Sequence, residues 1–344
     1  MFRKHIETSD GVIIQSNLPI SCQNCAKCHY ESQVVNCSLN NEKRRQGIVF
    51  SSNYSVYLCT SSKDLIQSSK LFKTYQRNFI EFLPELVQTR IETQEEVNQE
   101  VKRLIHNLTS INAHSIQELY NLVPQEILTL EFKDQIRKIS NYIQSDTHLA
   151  AATFLRIAKH NASLKTEFAV FNKLYETNPN LQIKKHVIRK VLFNLLYIFF
   201  QDFTDNNIYV DVEQNYDQIF FDYESIHVAF YHIFENATKY ALHREPIIIN
   251  FEKSEKTFDV NIEMTSIQIT DEDVTKIFQP NFSGYYARKL KKAGNGIGLN
   301  VVQRILKLNK AELILKRNID NSFNKYIANA PFERNQFKIR FYLE

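Results

Sequence analysis

The sequence predicts an α+β chain in three parts: a small cysteine-rich module over residues 1–68, a helical hairpin over 69–178, and an α/β sandwich over 181–344. Three observations lead there. Short apolar runs between polar turns open the chain, as strands do. Apolar residues at steps of three and four follow, the spacing of helices. Helical and strand-like segments then alternate around a cluster of glycines. A length of 344 residues suits two or three domains, and a hydrophobic fraction of 43% is ample for a core. The net charge of +4 is mild, so no nucleic-acid partner is expected. Residues 1–10 are polar, unlike a secretory signal. The longest apolar run, 191–200, is interrupted by Asn194 and is too short to span a bilayer. A soluble cytoplasmic protein, with no membrane partner, is the expectation.

In the first module, Val12, Ile13 and Ile14, then Ile48, Val49 and Phe50, then Val56, Tyr57 and Leu58 read as strands. Between the first two lies Cys22-Gln23-Asn24-Cys25-Ala26-Lys27-Cys28-His29, followed by Cys37. Two-residue gaps let successive thiolates converge on one metal, and thiolate softness favours Zn²⁺ or an iron–sulfur cluster. Cys22, Cys25, Cys28 and Cys37 are the expected ligands, with zinc the first choice; Cys59 and His29 are reserves. The alternative is a cluster of reduced thiols. The pattern does not read as a secreted disulfide framework.

From Ser69 the pattern turns helical as far as Leu122. Val97, Val101, Leu104, Leu108, Ile111, Ser115, Leu119 and Leu122 form a seam suited to a bundle or coiled coil. His106 lies two residues from both Leu104 and Leu108, which turns it toward solvent. Pro124 ends this helix. A second long helix is predicted over 133–175, with Ile136, Ile139, Ile143, Leu149, Phe154, Ile157, Leu164, Phe168 and Phe171 as its stripe. Two antiparallel helices make half of a four-helix core, so a homodimer is expected. Glu176-Thr177-Asn178-Pro179-Asn180 is the linker that follows.

The last part opens with a helix over 187–203 and a strand over 208–212; further strands are predicted at 247–251, 258–262, 312–315 and 337–343. Of only six glycines in the chain, three stand at alternate positions in Gly294-Asn295-Gly296-Ile297-Gly298-Leu299, and Gly284 lies just upstream. Leu299, Val301, Val302, Ile305 and Leu306 then recur at helical spacing. The glycines therefore lead into a helix N-terminus, where orphan N–H groups and the dipole attract anions. Upstream, Asn236 sits in a helical run, and its carboxamide oxygen suits a hard cation that takes its other ligands from phosphates. Tyr285-Tyr286-Ala287-Arg288-Lys289-Leu290-Lys291-Lys292 is a charged segment just before the glycines.

In that order, His232-Ile233-Phe234-Glu235-Asn236-Ala237-Thr238-Lys239-Tyr240, Ile277-Phe278-Gln279-Pro280-Asn281-Phe282-Ser283-Gly284 and the glycine stretch resemble the N, F and G2 boxes of sensor histidine kinases and their GHKL relatives. The resemblance covers residues 181–344 and implies a GHKL sandwich that binds ATP and Mg²⁺. It implies that Asn236 holds Mg²⁺ and that Lys239 lies near the phosphates. It also implies nucleotide contacts from His232, Tyr240, Phe282, Gly284, Arg288, Gly294, Gly296, Gly298 and Leu299, with residues 285–292 as the lid. One box departs. The family's Asp-x-Gly-x-Gly falls on Met264-Thr265-Ser266-Ile267-Gln268, so Met264 stands where an adenine-binding aspartate is usual. Glu263 is adjacent, but a one-residue shift on a strand points to the other face.

Leu104-Ile105-His106-Asn107-Leu108-Thr109-Ser110-Ile111-Asn112 is similar to the family's phosphoacceptor box, with Asn107 and Ser110 at positions usually held by an acid and by threonine or asparagine. The resemblance implies autophosphorylation of His106, with His160 as a rival acceptor, and transfer to a response-regulator receiver supplied in trans. Two other functions compete: a nucleotide-dependent or nucleotide-dead scaffold, and a GHKL ATPase or protein kinase that does not use His106.

Overall fold

The fold was obtained as a computed structural model that describes residues 2–27, 29–37, 39–128, 132–176, 179–294, 296–320 and 325–343, with backbone alone at 132–133. The chain falls into two compact units, Met1–Gln99 and Glu100–Glu344.

The first unit holds β1 (Arg3–Thr8), β2 (Ile13–Ser16), a 3-10 helix (Ile20–Lys27), β3 (Gln33–Asn36), β4 (Lys43–Phe50) and β5 (Tyr54–Thr60). After α1 (Lys63–Gln67) begins α2 (Ser69–Leu122), whose first part belongs here. The strands form one sheet in the order β2-β1-β5-β4-β3. Strand β1 escapes the apolar pattern because only one of its side chains, Ile6, is buried. Phe72, Ile80 and Leu83 of α2 close over Ile6, Val56 and Leu58. That packing carries the unit past residue 68, to Gln99.

Among the described residues the cysteines do not gather into the expected cluster. Arg3 Nη1 donates to Cys22 Sγ at 3.3 Å and to Cys37 Sγ at 3.6 Å, and Arg44 Nε donates to Cys59 Sγ at 3.2 Å. The Leu39 amide and then the Arg3 guanidinium hold the Cys37 thiol below its ordinary range. A guanidinium thus donates to two of the sulfurs that the spacing assigned to a metal. Among the described residues no three His, Cys, Asp or Glu side chains converge as a metal site. Cys25 lies in the 3-10 helix, and Cys28 lies outside the described residues. The described residues thus do not assemble the expected zinc or iron–sulfur centre.

In the second unit, the rest of α2 is followed by α3 (Gln125–Leu128), α4 (Phe132–Ser145) and α5 (Thr147–Leu174). The single helix expected over 133–175 is two. Asp146 interrupts it and caps α5, its carboxylate accepting from Leu149 N at 2.8 Å. Helices α2 and α5 run antiparallel: Asn107 donates to Glu167 at 3.2 Å, Ser115 Oγ meets His160 Nδ1 at 3.1 Å, and Arg156 reaches Glu118 at 3.1 Å.

Next come β6 (Ile183–Val187), α6 (Ile188–Asp205), β7 (Val210–Val212), β8 (Gln218–Asp222), α7 (Tyr223–Tyr240), β9 (Ile247–Lys253) and β10 (Thr257–Ile267). Short α8 (Asp271–Val274) and α9 (Tyr285–Lys289) lead to α10 (Gly298–Leu308), β11 (Ala311–Lys316), β12 (Lys325–Ile327) and β13 (Ala330–Tyr342). The main sheet is ordered β11-β13-β10-β9-β7, with β12 on β13; β6 and β8 pair separately. Only β7 and β9 pair in parallel among the described strands. Helices α6, α7 and α10 cover one face, burying Leu195, Phe199, Phe230, Phe234, Val302 and Ile305 against Val260, Ile262 and Ile339 of the sheet. Each such side chain stabilises the fold by about 1.5–3 kcal/mol.

The other face of β10 and β13 is charged. Asp259 accepts from Lys338 at 3.0 Å and from Arg340 at 2.8 Å and 2.9 Å. Glu263 lies on this face too, bound by Gln336 at 2.9 Å and Arg334 at 3.4 Å. No helix among the described residues is long and apolar enough to cross a membrane.

Candidate functional site

The site is built on α7. Asp222 caps the helix, accepting from Ser225 N at 3.0 Å. One stripe of α7 (Ile226, Phe230, Phe234 and Ala237) faces the core. Steps of four and three then set His232, Asn236 and Lys239 on a neighbouring stripe, with Tyr240 beside them. These four line a cavity of about 210 Å³.

The glycine stretch closes that cavity from the other side. A side chain at Gly298 would come within 3.6 Å of His232 and 3.7 Å of Asn236 Nδ2; one at Gly294 would lie 3.5 Å from Lys239 Nζ. Gly296 has φ +68°, and a Cβ there would meet Phe282 O at 2.5 Å. Only glycine adopts that backbone beside Phe282 without strain. Ile297, at the N-cap of α10, makes no side-chain cap, which leaves the first N–H groups of an 11-residue helix for an anion. The residues present therefore fit the phosphates of a nucleotide, with Asn236 beside them for a hard cation.

The far wall is β10. Met264, 3% exposed, and Ser266, 4% exposed, face the cavity, as do Ile267 and Gln268. Asn335 Nδ2 donates to Ser266 Oγ at 3.0 Å. The alternation of the strand turns Glu263 away, so among the described residues β10 presents no carboxylate to the cavity.

A charged group sits beside the glycines. Burial opposes ionisation of Glu235, but the neighbouring His232 and the charge of Lys239 outweigh it, bringing its pKa down to about 2. Lys239 Nζ donates to Glu235 at 2.8 Å, and His232 Nδ1 lies 3.6 Å from its other oxygen. His232 Nε2 is buried with no hydrogen-bond partner among the described residues. Across the cavity, the Thr270–Asp273 capping box starts α8, and the Asp273 carboxylate also accepts from Tyr285 N at 3.0 Å. That bond ties the start of α9 to α8.

Of the residues the sequence singles out, His232, Asn236, Lys239, Tyr240, Phe282, Gly284, Gly294, Gly296, Gly298 and Leu299 line this one cavity. Arg288 does not. It folds back, donating to Ser283 O at 2.6 Å with its guanidinium 5.5 Å from the Phe282 ring. From the hairpin, Asn107 lines the cavity, whereas His106 is exposed outside it and Ser110 is not part of the lining. His160 lies elsewhere, beside Ser115 and with its ring 6.2 Å from that of His114; burial then lowers its pKa.

Sequence reasoning missed several lining residues: Arg103 and Glu167 of the hairpin, and Glu235, Ser266, Gln268 and Asp273. Asp273 had a signal, the Thr-x-x-Asp cap pattern, and Glu235 stands inside the quoted box. Arg103 and Glu167 had none, because only the antiparallel packing of α2 and α5 brings them to α7.

Residues 221–337 match the family model of the Histidine kinase-, DNA gyrase B-, and HSP90-like ATPase. Residues 221–337 thus form a GHKL-type ATPase domain. A curated relative, "Histidine kinase P4" of Formosa agariphila, is 27% identical over 164 residues, covering 46% of this chain and 12% of that protein. The chain thus spans about an eighth of the length of that relative. Among solved structures, Acinetobacter baumannii histidine kinase AdeS is similar at 15% identity, covering 70% of this chain and 98% of that one, with a TM-score of 0.39. Full-length ShkA in complex with AMPPNP gives 13% identity, coverages of 72% and 46%, and a TM-score of 0.43. Histidine kinase ThkA in complex with the response regulator TrrA gives 13% identity, coverages of 99% and 96%, and a TM-score of 0.37.

Proposed function

We propose that this chain is a histidine kinase-like signalling protein whose GHKL domain binds Mg-ATP and transfers its γ-phosphoryl to His106. The observation that carries the reading is the joint placement of Asn236, Lys239 and the three glycines around one cavity at the start of α10. Asn236 would hold Mg²⁺, and the α10 amides with Lys239 would hold the phosphates. The bound ion supplies charge neutralisation on the phosphoryl oxygens. An imidazole nitrogen of His106 attacks the γ-phosphorus, the bond to the β,γ-bridging oxygen breaks, and ADP leaves. A neutral imidazole nitrogen carries a lone pair, which makes it a usable nucleophile. The phosphohistidine would then pass its phosphoryl group to an aspartate carboxylate on a receiver domain in trans.

Because His106 is exposed while Asn107 faces the cavity, transfer calls for a changed hairpin position or for the cavity of a second copy. The half-exposed seam of α2 supports a homodimer. One observation favours a second reading, a scaffold that binds nucleotide without transferring phosphate: the base end lacks a carboxylate at Met264. Incubation with γ-labelled ATP separates the two. Acid-labile label on the wild type and none on His106→Ala supports the kinase. Acid-stable label on Ser or Thr would indicate a different GHKL kinase, and binding without label would indicate the scaffold.

A further inference from the structure

The cavity has two chemically different ends. The glycines, Asn236, Lys239 and the amides of α10 make one end fit for phosphates. The other is the β10 wall, where Met264 and Ile267 are apolar and the polar side chains are Ser266 and Gln268. A nucleotide whose phosphates occupy the first end sets its base against the second.

Among the described lining residues the acids are Glu167, Glu235 and Asp273; each accepts a hydrogen bond from the protein, and none lies on β10. Glu167 accepts from Asn107 at 3.2 Å, Glu235 from Lys239 at 2.8 Å, and Asp273 from Tyr285 N at 3.0 Å. The lining cations, Arg103 and Lys239, lie on α2 and α7. The base end therefore offers a neutral hydroxyl and a neutral amide. Adenine presents an amino donor where guanine presents a carbonyl acceptor. An amide carries both a donor and an acceptor, and rotation by half a turn exchanges them. The Ser266 hydroxyl already accepts from Asn335, which leaves its proton for an acceptor such as a carbonyl or a ring nitrogen.

From this we infer that the cavity does not select adenine: Ser266 and Gln268 contact the base, and GTP is taken about as well as ATP. The inference rests on the nucleotide-site reading above and deepens it. Strong discrimination between such bases requires a fixed buried group that one of them leaves unpaired; among the described residues the fixed group at the base end is the Ser266 hydroxyl, and a ring nitrogen of either base can accept its proton.

The test uses the full chain, with magnesium and a fluorescent methylanthraniloyl-ATP as probe, displaced by ATP and by GTP. The expected wild-type dissociation constants agree to within about fivefold, the scale that one adaptable hydrogen bond supports. Met264→Asp adds a carboxylate acceptor at a strand position facing the cavity. It should raise the ATP-over-GTP ratio by about tenfold or more, as a site built around one hydrogen bond does. A wild-type preference for ATP beyond about fivefold overturns the inference and leaves the nucleotide site intact. So does a folded Met264→Asp protein with an unchanged ratio. Failure of both nucleotides to displace the probe overturns the nucleotide-site reading and the inference with it. If Met264→Asp does not fold, the wild-type ratio decides alone.

Discussion

Asn236 and Gly296 illustrate how much of the site depends on single atoms. Asn236 is half-buried on α7 and contributes little to the core, so Asn236→Ala should keep the melting temperature of the wild type. Magnesium-dependent ATP affinity should fall by about tenfold or more, equivalent to about 1.4 kcal/mol, which calorimetric titration measures. Equal affinity in the two proteins would remove Asn236 from the metal site. Gly296→Ala places a methyl 2.5 Å from Phe282 O at φ +68°, so the loop has to move. Its expected effect is a loss of nucleotide affinity of about tenfold with the sheet domain still folded, checked by the same titration alongside circular dichroism.

At His227 the consequence is pH dependence. Burial, and then the charge of Lys165, bring its pKa down from 6.5 to about 4. The unfolded chain takes up a proton at His227 below about pH 6.5 while the folded chain does not. Stability therefore falls as pH drops through the interval from 6.5 to 4. Glu235 acts lower, with its stabilising contribution present above its ordinary value of 4.5 and lost toward about 2. Urea unfolding at pH 7 and pH 5 should show a difference that shrinks by about 1–2 kcal/mol in His227→Phe. An unchanged difference would show that His227 titrates alike in both states.

At the scale of elements, local chemistry explains most boundaries. Helix α10 is legible because Val301, Val302, Ile305 and Leu306 make a stripe that packs on the core. The break between α4 and α5 is legible only at Asp146, whose carboxylate satisfies Leu149 N. Asp146→Ala should cost about 1 kcal/mol in chemical unfolding; a loss near zero would mean that packing alone sets the break. Helix α2 runs through Pro84, against local propensity. Ile80 and Leu83, buried against the first unit's sheet, hold it there. Strand β1 was missed for the opposite reason, since five of its six side chains are not buried and no apolar alternation marks it.

The whole molecule leaves apolar surface on the hairpin. Ile105 is 58% exposed, Leu119 43%, Phe154 79% and Phe168 51%, and none of α2 beyond residue 99 is buried. A second copy covering these stripes is the expected completion. Charged replacements at Leu104 and Leu108 should yield monomer in light scattering over a concentration series, whereas His106→Ala should assemble like the wild type. A wild type that is monomeric throughout would set the homodimer aside.

By itself, the sequence determined the parts that depend on local pattern, the glycine-led start of α10 and the α7 stripe of His232, Asn236 and Lys239, while the GHKL sandwich followed from the resemblance of its motifs. A helix of 3.6 residues per turn fixes which side chains share a face, and three glycines in five residues fix a close backbone approach. Tertiary structure decided what depends on distant segments meeting. It placed Asn107 rather than His106 in the cavity, because α2 packs on α5 with that face inward. It brought Arg3 to Cys22 and Cys37, where spacing had suggested a metal. It also set Met264 on the cavity wall and Glu263 on the charged face, because β10 pairs with β13 in a register that joins Glu263 to Gln336. Pairwise contacts across many residues of chain leave no periodic trace in either partner, so only the folded packing could decide them.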